Sequence, residues 1–228
     1  MTRSAPAPAR DAEQPVEVPL HLSVAMRDGS KAEHEAAEHS SYLANLLGGG
    51  VNEEGYTDYL LRLRLVYATM EEVLRRRVDD PLVAAVHDPD LERLAAIDAD
   101  LDHWAPGVGR TVGSPAAAAY RDRLLGVEWG GALVAHHYTR YLGDLSGGQA
   151  IGRVLDRTFE LDGAGISFYA FAAIPKPKPY KDAYRARLDA LDLDRTDVDR
   201  VVAEVQIAFR LNQALFAELG ENLPRYAR

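Results

Sequence analysis

Three glycines and one carboxylate fall inside an otherwise helical stretch, Tyr138-Thr139-Arg140-Tyr141-Leu142-Gly143-Asp144-Leu145-Ser146-Gly147-Gly148-Gln149. Each interior glycine costs about 1 kcal/mol relative to alanine, so three in six residues ask for a reason beyond chain geometry. Close approach of the backbone to a flat ligand is one such reason. Gly143 and Gly147 stand four apart, share a helix face and remove two side chains from one patch, against which a planar molecule can lie. A second pair, His34 and Glu38, has the same spacing within Lys31-Ala32-Glu33-His34-Glu35-Ala36-Ala37-Glu38-His39. An inward-facing histidine there can ligate a metal through one ring nitrogen while the carboxylate one turn away steadies the ring. The same spacing also describes an exposed charge pair on a solvated helix face, and at this point both readings stand.

Helices must position these residues. Apolar residues recur at three- and four-residue spacing over roughly 20 to 47, 53 to 78, 90 to 103, 116 to 126, 130 to 160, 179 to 191 and 196 to 218, with no convincing period-2 strand. Breakers separate them at Gly48-Gly49-Gly50, Asp88-Pro89-Asp90, Pro106-Gly107 and Pro175-Lys176-Pro177-Lys178-Pro179. The pattern predicts an all-α, single-domain bundle with irregular crossings over residues 20–220. Residues 1–19, rich in Ala, Pro and acidic groups, read as a disordered arm, and 221–228 as a short C-terminal tail.

Composition narrows the chemistry. With 228 residues, 47% of them hydrophobic, the chain can bury a substantial core. It holds no cysteine, which excludes disulfides, thiolate catalysis and Cys-ligated metal centres. A net charge of -9 argues against nucleic acid as a partner. No apolar run is long enough to cross a membrane, the start lacks a signal peptide and the carboxyl end has no hydrophobic tail. A cytoplasmic monomer without a membrane anchor is the expectation. A carboxylate-bridged di-iron bundle wants Glu-x-x-His motifs, and no histidine here has Glu three residues before it. A metal, if one is present, therefore arrives in a cofactor. One axial histidine opposite a glycine-paved helix is what a haem held between two helices requires.

The stretch His136 to Gln149 resembles, nearly residue for residue, the distal-helix signature of the heme oxygenase family, and the chain is most similar to its soluble bacterial members. The region around His34 resembles the family's proximal helix, Tyr180-Lys181-Asp182-Ala183-Tyr184-Arg185 its propionate-binding helix, and Ala208-Phe209-Arg210-Leu211-Asn212-Gln213 the far wall of its pocket. The resemblance runs from about Leu22 to Phe216. It implies the family's helical fold and haem (heme b, iron-protoporphyrin IX) as both substrate and cofactor. Haem is then cleaved with O2 and electrons to biliverdin, carbon monoxide and ferrous iron.

The resemblance also implies roles. His34 is the iron ligand and Glu38 tunes its ring, while Gly143 and Gly147 let the distal backbone steer bound oxygen toward one meso edge. Asp144 anchors a water network that delivers a proton during oxygen activation, and its loss diverts the chemistry toward peroxidase-like cleavage. Thr139, Arg140 and Tyr67 match polar members of that network. Phe209 and Asn212 match the far wall. Arg27, Tyr138, Lys181 and Arg185 serve the two propionates, with Arg27 standing two turns before His34 where relatives usually carry lysine. Lys176, Lys178, Lys181, Arg185 and Arg187 form a basic strip on which an acidic electron donor, such as a ferredoxin with its NAD(P)H reductase, can dock. The competing reading is a haem carrier or sensor on the same fold, and Asp144 with its glycines favours the enzyme.

Overall fold

The computed structural model describes residues 21–228, so the expected N-terminal arm lies outside it. Among the described residues the chain is helical, with no strand beyond a single bridge that pairs Val51 with Ala227.

The segment expected as one helix over 20–47 is three: α1 (Leu22–Gly29), α2 (Lys31–Glu38) and α3 (Ser41–Leu47). At the end of α1, Gly29 packs closely on the helix Arg195–Gly220. A Cβ at Gly29 would lie 2.4 Å from Val202 Cγ1, so only glycine allows that approach. The next residue, Ser30, leaves helical geometry and its hydroxyl donates to Met26 O at 2.7 Å. Ser40 starts α3 by accepting from Leu43 N, and Gly48-Gly49-Gly50 ends it, with Gly49 at φ +72°.

Two long helices, α4 (Glu53–Arg76) and later α11 (Arg195–Gly220), carry most of the core. Asn52 caps α4, and its acidic first turn and basic last turn both complement the helix dipole. Asp80 caps the short α5 (Pro81–Ala84), and α6 (Leu94–Trp104) follows. Ser114 caps α7 (Pro115–Leu125), which begins with proline where no backbone N–H is needed. The glycine-rich stretch divides into α8 (Gly130–His137), two π-helical turns (Tyr138–Leu142 and Asp144–Gly148) and α9 (Gln149–Phe159). α10 (Pro177–Asp189) opens on Pro177, two residues earlier than the spacing suggested. The last residues form α12 (Leu223–Tyr226), whose Tyr226 is buried against Gly55 of α4.

α11 packs against α8, α2, α1, α7 and α3, while α4 packs against α7 and α6. The buried side chains between them, among them Leu60, Leu63, Val66, Leu133 and Val205, form one core. Truncating any of these to alanine costs about 2–5 kcal/mol. α2 and the π-helical segment are left facing each other across a gap on the side of this core.

Candidate functional site

That gap is a cavity of about 500 Å³, well within the range for small-molecule sites. One wall is α2. His34 lies half exposed on it, its ring edge-on to Phe209 of α11 at 5.4 Å between centroids. Glu38 Oε1 is 3.6 Å from His34 Nε2, too long for a strong hydrogen bond, so the ring nitrogens remain available to a ligand. The spacing read from the sequence therefore gives an i,i+4 pair that is solvated and also faces a cavity.

The opposite wall is the π-helical segment. Gly143 and Gly147 both line the cavity, and a Cβ added to either would meet nothing within 4 Å among the described residues. Gly143 has ordinary right-handed dihedrals, so it is not required by backbone strain. These two glycines hold space open. Their shared face does not follow α-helical geometry as expected, because i→i+5 winding carries it, a deviation frequent at functional sites. Gly148, the third, differs: its added Cβ would press Tyr169 Cδ1 at 3.4 Å, so it serves packing.

Behind the glycines lies a buried polar cluster. Asp144 is 6% exposed and accepts a short hydrogen bond from the Tyr67 hydroxyl on α4. Arg140 Nε donates to Tyr67 Oη at 3.1 Å, its Nη1 to Asn212 Oδ1 at 2.6 Å, and its Nη2 stands 3.5 Å from Asp144 Oδ1. Asn212 Nδ2 in turn donates to Ala208 O at 3.1 Å, which fixes the amide. Burial raises the Asp144 pKa above its ordinary value, although Arg140 and the Tyr67 hydroxyl pull it down. Burial opposes the charge on Arg140, yet Tyr67 and Asp144 hold its pKa well above the usual value. The Thr139 hydroxyl donates to Ala135 O at 2.9 Å, one turn back.

Among the sequence-derived candidates, His34, Glu38, Tyr138, Thr139, Arg140, Gly143, Asp144, Gly147, Arg185, Phe209 and Asn212 line this cavity. Tyr67 stands one layer back, behind Asp144. Two of the expected cations are not on the wall. Arg27 pairs with Asp28 at 2.8 Å, yet it stays close enough to Tyr138 for the two to interact electrostatically. Lys181 Nζ donates to Ser146 Oγ at 2.8 Å, which holds it at the cavity rim. Arg187 leaves the expected basic strip, since its Nε donates to Ala85 O at 2.9 Å and its guanidinium lies over Tyr180 and Tyr184. Sequence reasoning missed Leu43, Leu47, Tyr59, Phe168 and Phe216, which complete the apolar lining. Nothing in their types or spacing separates them from core residues.

The two histidines that open the signature are both buried and do not line the cavity. His136 Nε2 lies 2.9 Å from Glu204 Oε1, which also accepts from Arg123 Nε at 2.8 Å. Burial lowers the His136 pKa. The Glu204 pKa falls to about 2: burial works against this, but the hydrogen bonds from His136 and Arg123 prevail. Burial lowers the His137 pKa to about 3, and its Nδ1 meets the Tyr184 hydroxyl at 2.8 Å. No group of three or more His, Asp or Glu among the described residues is placed to hold a bare metal ion.

Comparison with known proteins agrees with this geometry. The heme oxygenase family model matches residues 20–218. Heme oxygenase 1 of the cyanobacterium Synechocystis is 35% identical over 208 residues, covering 90% of this chain and 87% of that protein. Human heme oxygenase 1 is 36% identical over 217 residues, covering 92% of this chain and 75% of the human protein. The crystal structure of the Synechocystis heme oxygenase-1 in complex with heme superposes with a TM-score of 0.86 at 34% identity, over 90% of this chain and 95% of that one. Heme oxygenase from Leptospira interrogans superposes with a TM-score of 0.83 at 33% identity, over 87% of this chain and 100% of that one.

Proposed function

Because the chain belongs to the heme oxygenase family, we infer that the cavity between α2 and the π-helical segment is where haem is bound and degraded. Bound haem supplies the iron at which O2 and electrons are consumed, and its ring is opened to biliverdin, carbon monoxide and ferrous iron. The donor set fits that group. A single imidazole, His34, would ligate the iron, with Glu38 one turn on to orient the ring. Two glycines leave the facing wall bare, and Phe209 closes the side next to His34. Arg185, the Lys181 ammonium at the rim and the Tyr138 hydroxyl would hold the propionates, with Arg27 reaching them by releasing Asp28.

The observation that carries the reading is the buried Asp144 carboxyl on the glycine-lined wall, opposite His34. Its Oδ2 accepts from the Tyr67 hydroxyl, and Arg140, itself held by Asn212, fixes the other oxygen. Because burial favours the neutral acid, Asp144 can hold a proton and release it to a water in the cavity while Arg140 and Tyr67 keep it aimed. A mere carrier has no use for such a device. Adding one equivalent of haemin with a reducing system under air should bleach the haem band, raise that of biliverdin and release carbon monoxide. All three should fail in His34→Ala. A tightly bound haem that no donor degrades would return the carrier or sensor reading.

The electron donor is an acidic one-electron carrier such as a ferredoxin, itself reduced by an NAD(P)H reductase. It docks on the exposed cations at the start of α10, Lys176 and Lys178, beside Arg185. Asp182 partly offsets them, being 3.2 Å from both Lys178 and Arg185, so the attraction is local and salt-sensitive. Reversing Lys176 and Lys178 to Glu should slow donor-driven turnover at low salt and leave dithionite-driven turnover unchanged. Among the described residues no helix is long and apolar enough to cross a membrane. The protein acts as a cytoplasmic monomer in this reading.

A further inference from the structure

The tyrosines next to the site are arranged in a way that haem degradation itself does not require. Tyr67, bonded to Asp144, meets Tyr141 nearly edge-on at 5.7 Å between centroids. Tyr141 packs on the His137 ring at 4.5 Å, and its hydroxyl stands 3.5 Å from Glu71 Oε1. His137 lies 5.6 Å from Tyr184 with the rings nearly parallel, its Nδ1 facing the Tyr184 hydroxyl. One helical turn earlier on α10 is Tyr180, which shares the Arg187 guanidinium with Tyr184 and donates to Asp88 Oδ2 at 2.5 Å. Tyr180 is half-buried, so the series runs from the cavity wall to the surface.

Packing alone explains aromatic contacts, but not the pairing of every phenol in the series with a group able to take its proton. Tyr42 shows the contrast, donating to the Gly55 carbonyl, and the hydroxyls of Tyr56 and Tyr169 have no partner among the described residues. Tyr120 on His136 and Tyr226 on Asp58 share the pairing but stand outside this series of rings. The pairing matters because a phenol loses an electron readily only when its proton can leave at the same time. For Tyr184 the group at hand is His137 Nδ1, 2.8 Å from the hydroxyl, although burial disfavours its protonated form.

We propose that Tyr67, Tyr141, Tyr184 and Tyr180 form a relay that carries oxidising equivalents out of the haem cavity to the protein surface, protecting the site when a peroxide reacts there. The proposal rests on the haem-binding reading above, since that is where the peroxide is turned over. Reduction of one hydrogen peroxide to two waters consumes two electrons and two protons. Once Asp144 has given up its own proton to water in the cavity, each electron leaves Tyr67 as the phenolic proton moves to the carboxylate. Tyr67 is restored by an electron from Tyr141 and the return of its own proton, and Tyr141 releases its proton to Glu71. Tyr184 repeats the exchange with His137, and Tyr180 with Asp88. The outcome is a neutral phenoxyl radical at Tyr180, repaired by one electron and one proton from a soluble reductant of the thiol or ascorbate class. The two electrons leave through Tyr180 in turn, and the two protons taken up at the peroxide are drawn from water and replaced by the two that Asp88 releases to solvent.

The test is to load the protein with haemin, confirm binding by absorbance, add hydrogen peroxide with a nitroso spin trap and map the adduct by mass spectrometry. The wild type should carry the adduct on Tyr180. In Tyr184→Phe, which keeps the ring and removes the hydroxyl, the adduct should move inward to Tyr141 or Tyr67, and peroxide should inactivate the protein faster. Tyr226→Phe should behave as wild type. Haemin binding with normal biliverdin formation but an adduct at Tyr180 that is unchanged in Tyr184→Phe overturns the relay and leaves the enzyme reading intact. A protein that takes up no haemin overturns both.

Discussion

Replacing Gly143 and Gly147 together by alanine should stabilise the protein without its ligand and weaken the ligand. Both residues sit in helical backbone where an added Cβ meets nothing within 4 Å, so no clash opposes the change. Alanine at a helix interior gains about 0.5–1 kcal/mol over glycine, so the pair should add about 1–2 kcal/mol. For a chain of this size each kcal/mol moves Tm by about 2–4 °C, which places the expected rise at roughly 2–8 °C. The two methyl groups then occupy the space that a flat ligand needs. Overfilling a formed site costs about 1–3 kcal/mol, or about 5- to 150-fold in affinity. Thermal melts of the ligand-free protein followed by circular dichroism give the first quantity, and haemin titration by absorbance gives the second. Gly152→Ala is the control, because its Cβ would sit 3.0 Å from Tyr169 Cβ and should lower Tm. A fall in Tm for the Gly143/Gly147 double variant, or a rise in Tm with unchanged haemin affinity, would refute the claim that these glycines keep space for a ligand.

The other expectations concern the groups behind that wall. Asp144→Asn keeps the shape and removes the titrating proton, so haemin affinity should hold while the yield of biliverdin per haem collapses. Asn212→Ala takes away the 2.6 Å partner of a buried guanidinium and should cost about 1.5–3 kcal/mol in urea denaturation, with turnover falling more than haemin affinity. Glu204→Ala strips His136 and Arg123 of their shared acceptor; the buried donor left on His136 makes a loss of about 1–3 kcal/mol the expected result, with haem chemistry preserved. Acid should destabilise the fold early. His137 has a folded pKa near 3 against about 6.5 unfolded, so below pH 6.5 the unfolded chain binds a proton that the native state refuses. Stability should then drop by up to about 1.4 kcal/mol per pH unit, roughly 2 kcal/mol by pH 5, and a flat denaturation midpoint from pH 7 to 5 would contradict it. His136 acts in the same direction, whereas Asp144, whose folded pKa is raised, works against the trend at lower pH.

What the sequence disclosed and what it hid divide along a physical line. The helices with strong apolar periodicity, α4 and α11, lie within a few residues of their expected spans, because burial of one face decides them locally. The breaks at Ser30 and Ser40 do not announce themselves in that pattern. The first lies next to Gly29, which packs on Val202 of α11, a contact 173 residues away that apolar periodicity does not report. The site was legible where glycine, carboxylate and histidine are unusual in a helix, as at Gly143, Asp144 and Gly147. It was not legible where ordinary core residues, such as Phe168 and Tyr59, complete a wall. The π winding illustrates the difference. It shifts the register from i→i+4 to i→i+5 and so brings Gly143 and Gly147 onto the cavity and Asp144 behind it, against Tyr67. Composition marks the stretch as costly, but only the contacts with α4 and α11 show that the cost is offset by an Arg140 cluster with no unpaired hydrogen-bonding atom. The same contacts turn the His136-His137 pair, unremarked as chemistry in the sequence, into two buried neutral imidazoles facing different acceptors and donors. One of them stands between two tyrosines on the way to the surface.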